Sequence, residues 1–234
     1  MSSIIKSIAE NKFFYSLNFA LLTMVIVLLS CFTKADGFIW LNQFHTKFLN
    51  YIFECLTFLG DGWFVIVFSL VFIVFFKDHR ALGLIILLSY ISSGIFAQFI
   101  KNIIVAPRPK VYFELHHFQY YLDTFASSRI GQNSFPSGHT ASFFAFATVI
   151  SNYCKRNYIC ITMPLLSILV GYSRIYLGHH FLMDVFAGAL IGVAFGSLSS
   201  IWFNQITENT FIKRKIYFPE YNTHEFSNPG LSQH

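Results

Sequence analysis

Six stretches of this chain contain no Asp, Glu, Lys or Arg: residues 13–33, 62–76, 81–100, 130–154, 157–173 and 185–207. A helix needs roughly 20 mostly apolar residues to cross a bilayer, within a range of about 17–25. Each stretch therefore predicts a spanning helix, with the two short ones, 62–76 and 157–173, borrowing flanking residues. Residues 36–60, DGFIWLNQFHTKFLNYIFECLTFLG, break the pattern by mixing apolar and polar positions at helical spacing. Such a stretch, rich in aromatic residues, is expected to lie along the membrane surface instead of crossing it. The first apolar stretch follows Lys6 and Lys12, as a secretory leader would. It runs for 21 uncharged residues with no small-x-small cleavage pattern behind it, so it reads as a retained first helix. Gly188, Gly192 and Gly196 recur every four residues and predict close helix packing. Pro164 predicts a kink in the fifth span. Residues 1–203 read as one membrane-embedded domain and the polar 204–234 as a loosely ordered tail, with no internal repeat.

Composition supports this reading. Of 234 residues, 55% are hydrophobic and 12% charged, about half the charged share of a soluble domain. The expected fold class is all-α, an integral membrane helical bundle of about six transmembrane helices plus an interfacial helical segment. The net charge of +5 does not point to nucleic acid, because the basic residues are dispersed over short connections. Cys31, Cys55, Cys154 and Cys160 lie in or beside apolar stretches without metal-ligand spacing, and are expected to be buried or reduced thiols. With a cytoplasmic N-terminus, Lys6, Lys12, Lys77, Arg80, Lys155, Arg156, Lys213, Arg214 and Lys215 fall on the inner side, nine of the sixteen Lys and Arg. That excess follows the positive-inside rule. It sharpens once Lys101, Arg108 and Arg174 are given a chemical reason to face outward.

That reason comes from three clusters on the predicted outer side: KNIIVAPRP at 101–109, PSGH at 136–139 and SRIYLGHHFLMD at 173–184. Singly each has an ordinary reading. A basic residue at a helix end is commonly a snorkelling anchor, and Pro-Ser-Gly before a helix is commonly an N-cap. Brought together at one height, Lys101, Arg108 and Arg174 repel one another unless an anion joins them, and a phosphate suits planar guanidinium groups. Ser137 and the amides of Ser137 and Gly138 stand at a helix N-terminus, where the dipole also favours an anion. Gly138 omits a side chain where the backbone must come close. His180 and Asp184 are spaced to share a helix face. Asp184 can hold one ring nitrogen protonated and leave the other as a nucleophile toward phosphorus. His139 is then the proton donor to the leaving alkoxide and the later acceptor from water.

The order and spacing K-x6-RP, PSGH and SR-x5-H-x3-D resemble the type 2 phosphatidic acid phosphatase family, which shares its catalytic core with bacterial acid phosphatases and vanadium haloperoxidases. Lys101, Arg108, Pro109, Pro136, Ser137, Gly138, His139, Ser173, Arg174, His180 and Asp184 all match its motifs. The resemblance implies a helical bundle, no metal or other cofactor, His180 as nucleophile through a phosphohistidine, and an outward-facing site. For a bacterial chain of this size that means the periplasmic face of the cell inner membrane. It implies a membrane lipid phosphate as substrate and the bilayer as partner, with undecaprenyl diphosphate, phosphatidylglycerophosphate, phosphatidic acid and lipid A as candidates. Two alternatives stand beside hydrolysis: phosphoryl transfer to another lipid through the same intermediate, and a non-catalytic lipid-binding protein on the same scaffold. His179 matches no motif position and reads as a neighbour of His180. Residues 110–135 join Arg108 to Ser137 and are expected to set headgroup choice, with Lys110, His116, His117 and Arg129 available to a second phosphate.

Overall fold

The computed structural model describes residues 8–116 and 131–207. His117, Arg129, most of the expected specificity segment and the polar tail beyond Thr207 lie outside the described residues. The described residues form helices α1 (Lys12–Cys31), α2 (Lys34–Asn42), α3 (Lys47–Leu59), α4 (Gly62–Phe75), α5 (Arg80–Ile103), α6 (Pro109–Leu115), α7 (Gly138–Cys154), α8 (Asn157–Tyr176) and α9 (Leu182–Thr207). No strand occurs among them. The all-α membrane class is thus observed.

Length and composition of the described residues do not by themselves confirm the exact count of six. Four helices are long and apolar enough to cross by themselves: α1, α5 with its preceding 3-10 turn, α8 and α9. A fifth span arises only if α3 and α4 are taken together, bent by 51°. Residues 36–60 are divided between two helices, α2 and α3. α2 is docked through buried Ala35, Gly37, Phe38 and Asn42, whereas α3 leads into α4. The break has a local cause. Asp61 caps α4 by accepting the Trp63 amide at 3.1 Å. Gly60 sits so close to the rest of the bundle that a Cβ there would lie 2.9 Å from the His139 carbonyl oxygen and 3.0 Å from a Val170 methyl. α7, at 17 residues, is shorter than those four helices and the most enclosed, with every residue from Thr140 to Ser151 buried.

α7 is the axis of the bundle, and α9 lies along it. A Cβ on Gly188, Gly192 or Gly196 would approach the carbonyl oxygens of Ser137, Ala141 and Ala145 to 2.5, 2.5 and 2.8 Å. The glycine stripe is therefore a packing seam, as its spacing predicts. A main apolar core of Phe143, Phe146, Val149 and Ile150 against Val65, Ile85, Ile86 and Val170 joins α7 to α4, α5 and α8. α8 continues through Pro164 as one helix. At one end of the bundle, Lys155 pairs with Glu10 at 2.6 Å and His79 Nδ1 meets the Tyr153 hydroxyl at 2.8 Å. The three motif clusters lie at the other end. Of the cysteines, Cys160 is buried and Cys154 half-buried, but Cys31 and Cys55 are exposed; all four are free thiols. The expectation of buried or reduced thiols is met, and two of them are exposed as lipid-facing positions of a membrane helix can be.

Candidate active site

The site end is assembled from the termini of five helices. Lys101 is in the last turn of α5, and Arg108 immediately precedes Pro109 at the start of α6. Ser137 caps α7: its hydroxyl oxygen accepts from the Thr140 amide at 3.4 Å and from the Thr140 hydroxyl at 2.8 Å. Arg174 is in the last turn of α8, and Asp184 in the first turn of α9. His180 is not on a helix; it lies in the turn between α8 and α9. The expected helical i,i+4 geometry gives way to a different local device. The Asp184 carboxylate folds back to accept the Phe181 amide at 2.9 Å, capping α9. The same oxygen, Oδ2, stands 3.4 Å from His180 Nδ1.

Backbone bonds fix these termini to one another. The Ser137 amide donates to the Asp184 carbonyl at 2.9 Å, tying the cap of α7 to the start of α9. The Ser134 amide donates to the Ala106 carbonyl at 2.9 Å and the Arg108 amide to the Gly131 carbonyl at 3.1 Å, so the first and second motifs run side by side. Lys101 Nζ donates to the Asn133 carbonyl at 3.3 Å. The structure thus brings Lys101, Arg108, Ser137, Arg174, His180 and Asp184 into one neighbourhood. His139 is half-buried on the first turn of α7, with its backbone against Gly60. A Cβ on Gly138 would meet nothing within 4 Å, so the space beside this helix N-terminus is open. Gly138 is thus not required by a close protein contact; it leaves room.

Three residues outside the expected set complete the arrangement. The Ser134 hydroxyl donates to Asp184 Oδ2 at 2.5 Å and lies 3.3 Å from His180 Nδ1, fully buried. His179 is more than a neighbour of His180. Its carbonyl accepts from Arg108 Nη1 at 3.2 Å, and its Nδ1 accepts from Arg174 Nη2. Thr57, on α3, accepts from Arg174 Nη1 through its hydroxyl. Adjacency to His180 was a signal for His179, and position just before PSGH for Ser134. Thr57 had none.

Electrostatics follow from burial. His180 is 2% exposed, and Arg108, Arg174 and Asp184 are also buried. Loss of water pushes the His180 imidazolium down to about 4; the hydrogen bond to Asp184 opposes this, while Arg174 and Arg108 reinforce it. His180 is therefore neutral at physiological pH. With its proton on Nδ1 toward Asp184, the lone pair lies on Nε2.

Residues 82–208 match the PAP2 superfamily. A curated relative, "Lipid A 4'-phosphatase" of Porphyromonas gingivalis, is 28% identical over 141 residues, covering 57% of this chain and 58% of that protein. The chain spans about half the length of the curated relatives it matches. The crystal structure of Aquifex aeolicus LpxE is similar at a TM-score of 0.61 and 28% identity, covering 72% of this chain and 95% of that one. A transmembrane PAP2-type phosphatidylglycerolphosphate phosphatase from Bacillus subtilis shares the fold, with a TM-score of 0.60 at 23% identity over 86% of this chain and 97% of that one.

Proposed function

The chain belongs to the PAP2 superfamily, and from that footing we propose that it hydrolyses a phosphate monoester or diphosphate on a membrane lipid through a phosphohistidine at His180. The observation that carries this reading is the buried, neutral His180, held on its Nδ1 side by Asp184 and Ser134 beside two buried arginines. Nε2 attacks phosphorus as the bond to the lipid oxygen breaks, and His139 gives its proton to that oxygen. Water then attacks the phosphohistidine, returning a proton to His139 and releasing phosphate. Arg108, Arg174 and Lys101, with the Ser137 and Gly138 amides, hold the phosphoryl oxygens and gain most where negative charge accumulates in the transition state. The open space beside Gly138 leaves room for such a phosphoryl group.

The site end is the periplasmic end in this reading. With Lys101, Arg108 and Arg174 set aside for the phosphate, the described residues leave Lys12, Lys77, Arg80, Lys155 and Arg156 at the opposite end against Lys34, Lys47 and Lys110 at the site end, in the sense of the positive-inside rule. Names of relatives favour lipid A phosphates as the first substrates to try, followed by phosphatidylglycerophosphate, undecaprenyl diphosphate and phosphatidic acid. Purified protein incubated with each lipid in EDTA should release phosphate, and orthovanadate should inhibit by occupying the pentacoordinate geometry. Activity that disappears in EDTA and returns with magnesium would overturn the metal-independent route. Product formed only when a lipid alcohol is supplied would replace hydrolysis with phosphoryl transfer.

A further inference from the structure

Beside the phosphate centre lies a cavity of about 430 Å³. It is bounded by Leu28, Leu29 and Phe32 at the end of α1, Phe38 of α2, and Phe181 and Leu182 at the start of α9. None of Lys101, Arg108, Ser137, His139, Arg174 or His180 lines it. Only Asp184 is shared, and its Oδ2 is already engaged by Ser134 and the Phe181 amide. The cavity thus adjoins the catalytic pair at Asp184 while the remaining phosphate-centre residues lie outside its lining.

Its walls are apolar except for Thr33, Asp184 and Lys34. Lys34, the first residue of α2, stands at the cavity with its ammonium 4.2 Å from the Phe181 ring centroid and 4.8 Å from that of Tyr112. Both distances are within cation–π range. Among the described residues no carboxylate forms an ion pair with it. Burial against these groups pushes the Lys34 ammonium below the usual lysine value, with the Asp184 charge pulling the other way. Lys34 is exposed at the rim, and a cation there beside an apolar hollow favours an anion that brings its own hydrocarbon.

We propose that this cavity binds an anionic phospholipid of the surrounding bilayer, one acyl chain lying between α1, α2 and α9 and the phosphodiester on Lys34. The site is distinct from the phosphate centre and takes a lipid that is not the substrate. The flanks support bilayer access. Phe32, Ile104 and Met183 line the cavity and are themselves exposed on the bundle surface, where acyl chains reach them.

Trp40 reports on the site because its indole stacks on Phe32, ring centroids 5.4 Å apart. A protein with Trp63→Phe and Trp202→Phe leaves Trp40 as the only tryptophan among the described residues. It is reconstituted in phosphatidylcholine vesicles, and its fluorescence is titrated with brominated-chain phosphatidylglycerol or brominated-chain phosphatidylcholine. The anionic lipid should half-quench at roughly a fivefold lower mole fraction, a preference lost in Lys34→Gln and kept in Lys34→Arg. Equal quenching by the two lipids, or a preference that survives Lys34→Gln, overturns the proposal. Arg108→Gln, which weakens only the phosphate centre, should keep the preference. If the preference goes with Arg108, the lipid occupies the phosphate centre and the second site does not exist. The phosphate-release assay stands apart from all of these outcomes, so this site and the phosphatase reading can fail independently.

Discussion

The two ends of the bundle each carry a histidine or lysine against a carboxylate, and the pairs differ in every respect that matters. Lys155 and Glu10 meet at 2.6 Å with their side chains 53% and 38% exposed. His180 and Asp184 stand farther apart, at 3.4 Å, with side chains 3% and 5% exposed. The shorter pair is the lesser one. In water an ion pair loses nearly as much in hydration and side-chain entropy as it gains, so exposed pairs contribute about 0–1 kcal/mol. The buried pair cannot be separated from its surroundings, because removing one member leaves the other without water to replace it. Arg174 and Arg108 are similarly committed, one to His179 and Thr57 and the other to the His179 carbonyl. Proximity alone therefore ranks these contacts wrongly; burial ranks them.

The sharpest way to break the comparison is His180→Ala. Turnover should fall by at least about a thousandfold in protein that still folds, because the side chain lies in a turn and Asp184 keeps the Ser134 hydroxyl and the Phe181 amide. A variant retaining near-normal phosphate release would remove His180 from the chemistry. Ser134→Ala comes next. It deprives Asp184 of a hydroxyl donor at 2.5 Å without touching the nucleophile. A hydrogen bond to a charged group contributes about 1.5–3 kcal/mol, so kcat should fall roughly tenfold to a hundredfold with KM little changed. Ser134→Thr should restore part of it, and an unchanged kcat would make Ser134 merely a packing residue.

Proton uptake gives a third, smaller effect. Folded His180 takes its proton near pH 4, whereas an unfolded histidine does so near 6.5. Between these values the unfolded chain binds the additional proton, so stability should rise with pH across that window, by up to about 3 kcal/mol from this group. Denaturation of the wild type and of His180→Ala at pH 4.5 and 7 isolates the contribution; equal pH dependence in both would refute it. Smallest of all, Lys155→Gln should leave turnover unchanged and cost no more than about 0.5 kcal/mol, diminishing further at high salt. A large loss there would mean that burial is the wrong criterion.

The spans and the motif residues were legible in the sequence for physical reasons. Absence of charge over about 20 residues has few solutions outside a bilayer, and motif residues carry chemistry that no apolar packing requires. The α3–α4 break was not legible, because its polar positions look like those of an interfacial helix; the Asp61 cap and the close approach of Gly60 to His139 accompany the bend. Nor could the sequence place His180 in a turn, since spacing of four is equally compatible with a capping carboxylate that reaches back. Thr57 lies 117 positions from Arg174, and no local pattern encodes so distant a partner. Tyr112 and Phe113 belong to the segment expected to choose the headgroup, yet Phe113 packs against Phe38 and Phe181. The root of that segment is an anchor.

The glycine seam between α7 and α9 has a consequence for how the reaction centre responds to its surroundings. Gly188 rests on the Ser137 carbonyl, and one turn earlier the Ser137 amide binds the Asp184 carbonyl. Backbone touching backbone has no rotamers to redistribute, so the offset between the anion-holding cap and the histidine's carboxylate works like a fixed gauge. A bilayer that thickens or thins tilts helices at modest cost. Here it must tilt α7 and α9 as one beam, and the gauge travels with them unaltered while the looser outer helices take up the change.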